Sequence, residues 1–262
     1  MTRRLIAGTG WKMNLGEAET DRYAARLAPL VEGFADAIEM FVLPPFTSLV
    51  AARRAFANIA VGIGGQNMHW EASGAWTGEI SAPMLVEAGC RYVELAHSER
   101  LQHFGETYER VRQKVNAAMA HGLTPILCLG ETAEDKARGA TDEILRDQMT
   151  LALADQGEEQ IPAIVLAYEP RWAIGGSAAA PPDYAAQRHR GLREAVGARF
   201  GREAASRVRI IYGGSVTPDN SDALMQHGDI DGLFVGRAAW TAEGFAEVAA
   251  IVARAANRRK SG

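Results

Sequence analysis

The 262-residue chain predicts an α/β fold, a closed barrel of eight parallel strands with helices between them, in one domain. Three observations lead there. Eight short apolar runs recur at intervals of a few tens of residues, stretches with helical patterning separate them, and no linker, low-complexity segment or charge block divides the chain. Runs that are apolar at nearly every position suit strands covered on both faces, as in parallel sheets. Strict alternation of strand and helix favours a parallel sheet. Eight units in about 250 residues match a closed barrel better than an open doubly wound sheet. One domain over residues 1–262 follows.

The runs, in order, are "RLIAG" from Arg4, "IEMFVLP" from Ile38, "IAVGIGG" from Ile59 and "YVELA" from Tyr92. Then come "TPILCLG" from Thr124, "AIVLAYE" from Ala163, "RIIYGG" from Arg209 and "GLFVGR" from Gly232. Between the first two, "GEAETDRYAARLAPLVEGF" places Tyr23, Leu27 and Leu30 on one helical face. "YERVRQKVNAAMAHG" ends in a glycine suited to a helix C-terminus. After the sixth run, "AIGGSAAAPPDY" turns small and proline-rich and reads as a long loop. The closing "NRRKSG" reads as a solvated tail.

Composition narrows the function classes. With 47% hydrophobic and 23% charged residues the chain is an ordinary globular protein with ample core. A net charge of −4 argues against a nucleic-acid platform, while leaving room for a small anionic ligand. Cys90 and Cys128 sit in or beside apolar runs and read as core residues in a reducing compartment. No stretch approaches membrane-spanning length and the N-terminal apolar run is too short for a signal peptide, so a soluble cytoplasmic protein is expected. There is no zinc-like Cys/His spacing, dinucleotide fingerprint or P-loop, and a reaction without cofactor or metal is the economical reading.

In a barrel of this kind the functional groups gather at the C-terminal strand ends. Glu169 closes the sixth run and opens a segment with a stiff entrance, Pro170, an apolar middle including Trp172 and Ile174, and a permissive exit at Gly175. Such a segment can act as a lid, and a carboxylate beneath it is a competent general base. His97 precedes a helix start, where the backbone dipole disfavours the charged imidazole. Ser98 beside it makes no hydrolase triad, because neighbouring side chains diverge. Lys12, with Asn14 two positions on, follows the first run and can face an oxyanion, with Glu99 to hold its ammonium. "YGGS", ending in Ser215, and Gly236-Arg237 follow the seventh and eighth runs, where glycine-bearing turns can aim N–H groups at a phosphate.

These motifs resemble the triosephosphate isomerase family, in order from "GTGWKMN" through "GAWTGEIS", "AHSER", "HFGET", "PILCLGET", "AYEPRWAIGG" and "YGGSV" to "DGLFVGRAAW". The resemblance covers nearly the whole chain. It implies a TIM barrel, a small phosphorylated sugar substrate, a homodimer, no cofactor and no nucleic-acid or membrane partner. It assigns Glu169 as base, His97 as electrophile, Lys12 as electrostatic stabiliser with Asn14 beside it, and Glu99 as support for the lysine. Gly175, Ser215 and Gly236 match phosphate-binding positions, and Thr77 matches a residue that reaches into the partner's site. The neutral histidine, the base and the closing loop are the family's own pattern. The chain departs from it at Leu101, Arg171 and Arg237, and the lid exit is Gly-Gly-Ser.

"QNMHWEASGAWTGEIS" and "GRAAW" are more similar to the branch of the family that acts on four-carbon sugar phosphates. This implies interconversion of L-erythrulose 1-phosphate and D-erythrulose 4-phosphate, with the three-carbon reaction as the alternative. A silent paralogue that senses a phosphorylated metabolite, and a barrel lyase or synthase sharing only the phosphate site, are the readings from other classes.

Overall fold

All eight runs form parallel strands in the computed structural model, which describes residues 3–174 and 179–261. They are β1 (Leu5–Gly10), β2 (Ile38–Leu43), β3 (Gly62–Gly65), β4 (Tyr92–Leu95), β5 (Thr124–Leu129), β6 (Val165–Tyr168), β7 (Arg209–Tyr212) and β8 (Gly232–Val235). Each pairs with the next in sequence, and β1 pairs again with β8, Ala7 standing beside both Met40 and Leu233. The ring leaves no unpaired edge.

The period-two alternation of a strand sorts the apolar side chains into two layers. On β1, Leu5 and Ala7 face the helices while Ile6 faces the barrel axis. The interior is filled by rings: Phe41 lies 4.9 Å from Tyr92 and 5.6 Å from Phe234 between centroids. The same inward register continues upward to the mouth. Val165 and Ala167 of β6 are followed by Glu169, Ile126 of β5 by Cys128, and Tyr92 of β4 by Glu94. The functional end of the barrel is therefore the top of its own interior.

Two local expectations change. The helix Glu17–Leu27 buries Tyr23 and Leu27 but stops there, and Leu30 is 42% exposed at the end of a 3-10 turn. Pro29 supplies no N–H and its ring occupies the space of the preceding turn, which ends an α-helix. After β6, Arg171–Ala173 form a 3-10 turn and the next helix starts at Pro182, where a missing N–H costs nothing; residues 175–178 of the expected loop lie outside the described residues. The C-terminal segment is no loose tail. It continues the helix Ala242–Ser261, and Arg259 donates to the carbonyls of His227 and Ile230 at 2.8 and 2.9 Å.

Cys90 and Cys128 are free and buried. Among the described residues no helix is long and apolar enough to cross a membrane.

Candidate active site

A cavity of about 840 Å³ opens at the C-terminal strand ends, and Lys12, His97, Glu99, Glu169, Ser215 and Arg237 all line it. A second cavity, about 330 Å³, lies at the opposite ends of β2–β4 around Arg4, Glu39, Arg53 and Arg91. It holds no imidazole, so the chemistry belongs to the larger one.

Glu169 leaves β6 on the inward register and is 4% exposed. Gly213 is what makes room for it. A Cβ at Gly213 would press to 2.8 Å from Glu169 Cγ, and one at Gly214 would meet Pro170 at 2.9 Å. The Gly213 N–H is also committed to the Tyr168 carbonyl at 2.9 Å. The absence of a side chain at these two glycines of "YGGS" thus makes room for Glu169 and for Pro170. Burial pushes the Glu169 carboxyl up to about 7, against the opposing charge of Lys12 and the Cys128 thiol. Its Oε2 is buried without a hydrogen-bond partner among the described residues.

His97 is the N-cap of the helix Ser98–His103, and its Nδ1 accepts from the Glu99 N–H at 3.2 Å. The ring proton then belongs on Nε2, which lies 4.0 Å from Glu169 Oε2. Burial, joined by the Lys12 charge, draws the His97 pKa down to about 4, so the ring is neutral at ordinary pH.

Lys12 adopts φ +53°, a left-handed conformation costly for a side-chain-bearing residue. Gln66 Nε2 holds it by donating to the Lys12 carbonyl at 2.9 Å. The ammonium reaches Glu99 Oε1 at 2.5 Å. Burial raises the Glu99 carboxyl, but the hydrogen bond to Lys12 and the nearby positive charges outweigh it and leave the group below its ordinary value. Asn14 is exposed and outside the cavity lining. Its Nδ2 donates to the Trp11 carbonyl at 2.9 Å, so it braces the loop around Lys12.

Ser215, Gly236 and Arg237 line one side of the cavity, on the turns after β7 and β8. Gly175 lies outside the described residues. Pro170 is buried beneath the cavity wall, and Ile174 lines it. Trp172 points elsewhere: its indole donates to Glu131 Oε1 at 2.7 Å, and the Tyr168 and Tyr184 hydroxyls donate to the same oxygen. Ser215 Oγ donates to the Ala173 carbonyl, tying the seventh-strand turn to the segment after β6. Arg171 faces the cavity, and Leu101 packs against the core. Thr77 is exposed on the loop after β3.

Sequence reading passed over Glu94, which lines the cavity beside Glu169. The signal was a lone carboxylate inside an otherwise apolar run. Glu94, Cys128 and Glu169 bring one ligand atom each within 4.8 Å of one another, the one such group of possible metal ligands among the described residues. Burial raises the Cys128 thiol and the Glu94 carboxyl well above their ordinary values, so protons compete strongly with any cation there.

A neutral imidazole, a carboxylate with a raised pKa and an ammonium, converging at the mouth of an eight-stranded barrel, define the class of barrel enzymes that move protons next to a carbonyl. The family profile described as triosephosphate isomerase matches residues 5–252. The chain belongs to the triosephosphate isomerase family and is an isomerase of that family. It is 46% identical over 253 residues to L-erythrulose-1-phosphate isomerase of Rhizobium etli, covering 96% of this chain and 93% of that protein. It is 45% identical over 256 residues to triosephosphate isomerase of Symbiobacterium thermophilum, covering 98% and 100%. The crystal structure of triosephosphate isomerase from Bartonella henselae superposes with a TM-score of 0.85 at 32% identity, covering 95% of this chain and 98% of that one.

Proposed function

We propose that the chain interconverts L-erythrulose 1-phosphate and D-erythrulose 4-phosphate through an enediolate. The observation that carries the isomerisation is the convergence of Glu169, His97 and Lys12 on one cavity, with the carboxyl pushed up to about 7. Glu169 removes a proton from the carbon beside the carbonyl, and the electron pair moves to the carbonyl oxygen. Nε2–H of His97 and the Lys12 ammonium stabilise charge on oxygen, and protonation of the neighbouring carbon completes the shift. Ser215, Gly236, Arg237 and Gly175 receive the phosphate, and the segment through Pro170, Trp172 and Ile174 closes over the enediolate, whose electron pair otherwise expels the neighbouring phosphate by β-elimination.

The four-carbon substrate rests on "QNMHWEASGAWTGEIS" and "GRAAW", together with the named activity of the Rhizobium etli relative. The Symbiobacterium thermophilum relative supports the second reading, dihydroxyacetone phosphate and D-glyceraldehyde 3-phosphate, the glycolytic reaction. Comparing kcat/KM for L-erythrulose 1-phosphate and dihydroxyacetone phosphate decides between them. A large preference for the triose overturns the first.

The enzyme works in the cytoplasm as a homodimer. Met13 is 95% and Trp76 47% exposed, on the loops after β1 and β3, and Thr77 on the latter reaches the partner's site. Large apolar side chains left open on the loops after β1 and β3, either side of β2, suit a subunit contact.

A further inference from the structure

The floor of the cavity holds a carboxyl that the isomerisation does not use. Glu94 follows Tyr92 on the inward register of β4, is 6% exposed and lines the same cavity as Glu169. Its Oε1 lies 3.9 Å from the Cys128 thiol, while its Oε2 faces the end of β1. That end is Gly10. Nothing in the backbone demands glycine there, because Gly10 is not among the residues with positive φ. Crowding does not demand it either. A Cβ at Gly10 would rest 3.6 Å from the Phe234 ring and 3.9 Å from Glu94 Oε2, both ordinary contacts, unlike the clash at Gly213. The missing side chain therefore leaves a small recess open, with an aromatic wall and a carboxyl floor.

The chemistry of that floor restricts the occupant. Oε1 accepts from the Cys128 thiol, so Oε2 is the oxygen left to face the recess, and burial, reinforced by the Glu169 charge, raises this carboxyl well above its ordinary value. A hydroxyl, itself donor and acceptor, matches that oxygen with or without its proton. A second anion beside Glu169 would be repelled. The phosphate seat is built from the turns beyond β7 and β8, whereas the recess belongs to strand residues inside the ring. A substrate with phosphate at one end and an alcohol at the other spans the two.

We propose that the recess between Gly10, Glu94 and Phe234 seats the terminal hydroxymethyl group of a four-carbon sugar phosphate, with Glu94 as its hydrogen-bond partner. This rests on the four-carbon reading above and locates the room that separates the two substrates. A triose phosphate has only hydrogen at that carbon and leaves the recess unfilled.

The test uses the full chain with initial rates on L-erythrulose 1-phosphate and dihydroxyacetone phosphate, for wild type, Gly10→Ala, Glu94→Leu and Glu94→Gln. Both substrates are measured on one preparation, so the folded fraction cancels in the ratio. Filling the recess with Gly10→Ala lowers the tetrulose-to-triose ratio of kcat/KM by about 10-fold or more. Glu94→Leu does the same, and Glu94→Gln, which keeps a donor and an acceptor, retains most of the ratio. The inhibition constant of L-erythrulose 1-phosphate against triose turnover gives an independent reading of its binding. A ratio and an inhibition constant unmoved by Gly10→Ala and Glu94→Leu overturn the recess. A wild-type preference for the triose, with an inhibition constant that Gly10→Ala still raises, overturns the four-carbon substrate and leaves the recess standing. A tetrulose phosphate neither turned over nor bound overturns both.

Discussion

His97 Nε2 stands 4.0 Å from Glu169 Oε2 across the barrel mouth, while His97 Nδ1 already accepts from the Glu99 N–H. The second contact sets the purpose of the first. With Nδ1 occupied as an acceptor, the proton points from Nε2 toward the carboxylate oxygen that has no hydrogen-bond partner among the described residues. A small carbonyl compound entering between them meets a donor for its oxygen and a base for its carbon.

Removing the base tests that division of labour. Glu169→Gln keeps the side chain's shape and loses its basicity, so kcat falls by about 10²–10⁴ or more. Inhibition by inorganic phosphate, which reads the anion seat alone, stays close to wild type. Near-normal turnover in this variant would place the base elsewhere.

The pH profile follows from the carboxyl at about 7. The base acts when ionised, so kcat/KM of the free enzyme climbs with unit slope and levels off above about pH 7. Below about pH 6 the second proton of the phosphoester steepens the limb. His97, drawn down to about 4, stays neutral across this range and adds no inflection. A plateau already reached at pH 5 would contradict the buried, raised carboxyl.

Stability responds to the same burial with a definite sign. The folded-state pKa of Glu94 lies well above its ordinary value of 4.5, so above pH 4.5 the unfolded chain gives up that proton first. The native state then holds more protons, and stability falls as pH rises. Glu94→Gln abolishes this loss. Thermal melts at pH 5 and pH 8 are expected to show the variant gaining on wild type at the higher pH. A constant difference between the two curves would mean that Glu94 ionises normally.

Subunit association is open to a single exposed position. Met13→Arg places a charge where a 95% exposed apolar side chain now stands, beside the strained Lys12. Light scattering is expected to give a dimer for wild type and a shift to monomer for the variant, with activity falling as the chains separate. A wild-type monomer at working concentration would remove the dimer from the account.

Most of the architecture was legible because each strand announces itself by an unbroken apolar run. Glu169, His97, Lys12 and Glu99 were legible because strand ends in such a barrel share one mouth, so the order of runs placed them together before any coordinate did. What stayed hidden depends on register. Glu94 lies within "YVELA", and only the alternation after Tyr92 shows that it faces Glu169 across the interior. Gly213 depends on register too, since its neighbour is the Glu169 side chain just past β6, which no local pattern reveals. Asn14 was grouped with Lys12 by proximity in sequence, but the left-handed turn at Lys12 directs it to the Trp11 carbonyl. Leu30 fell to one proline that outweighed the helical spacing.

The ladder between β1 and β8 sets Ile6 beside Gly232, so the ring shuts only after the chain has been synthesised through β8. A nascent chain emerging from the ribosome can carry the imidazole and the general base, yet Gly236 and Arg237, which share a cavity with Lys12, arrive last. Pairing partners so distant along the chain are entropically slow to meet. Catalytic turnover is thus a late-arriving property, and its appearance during translation would time the docking of the final strand.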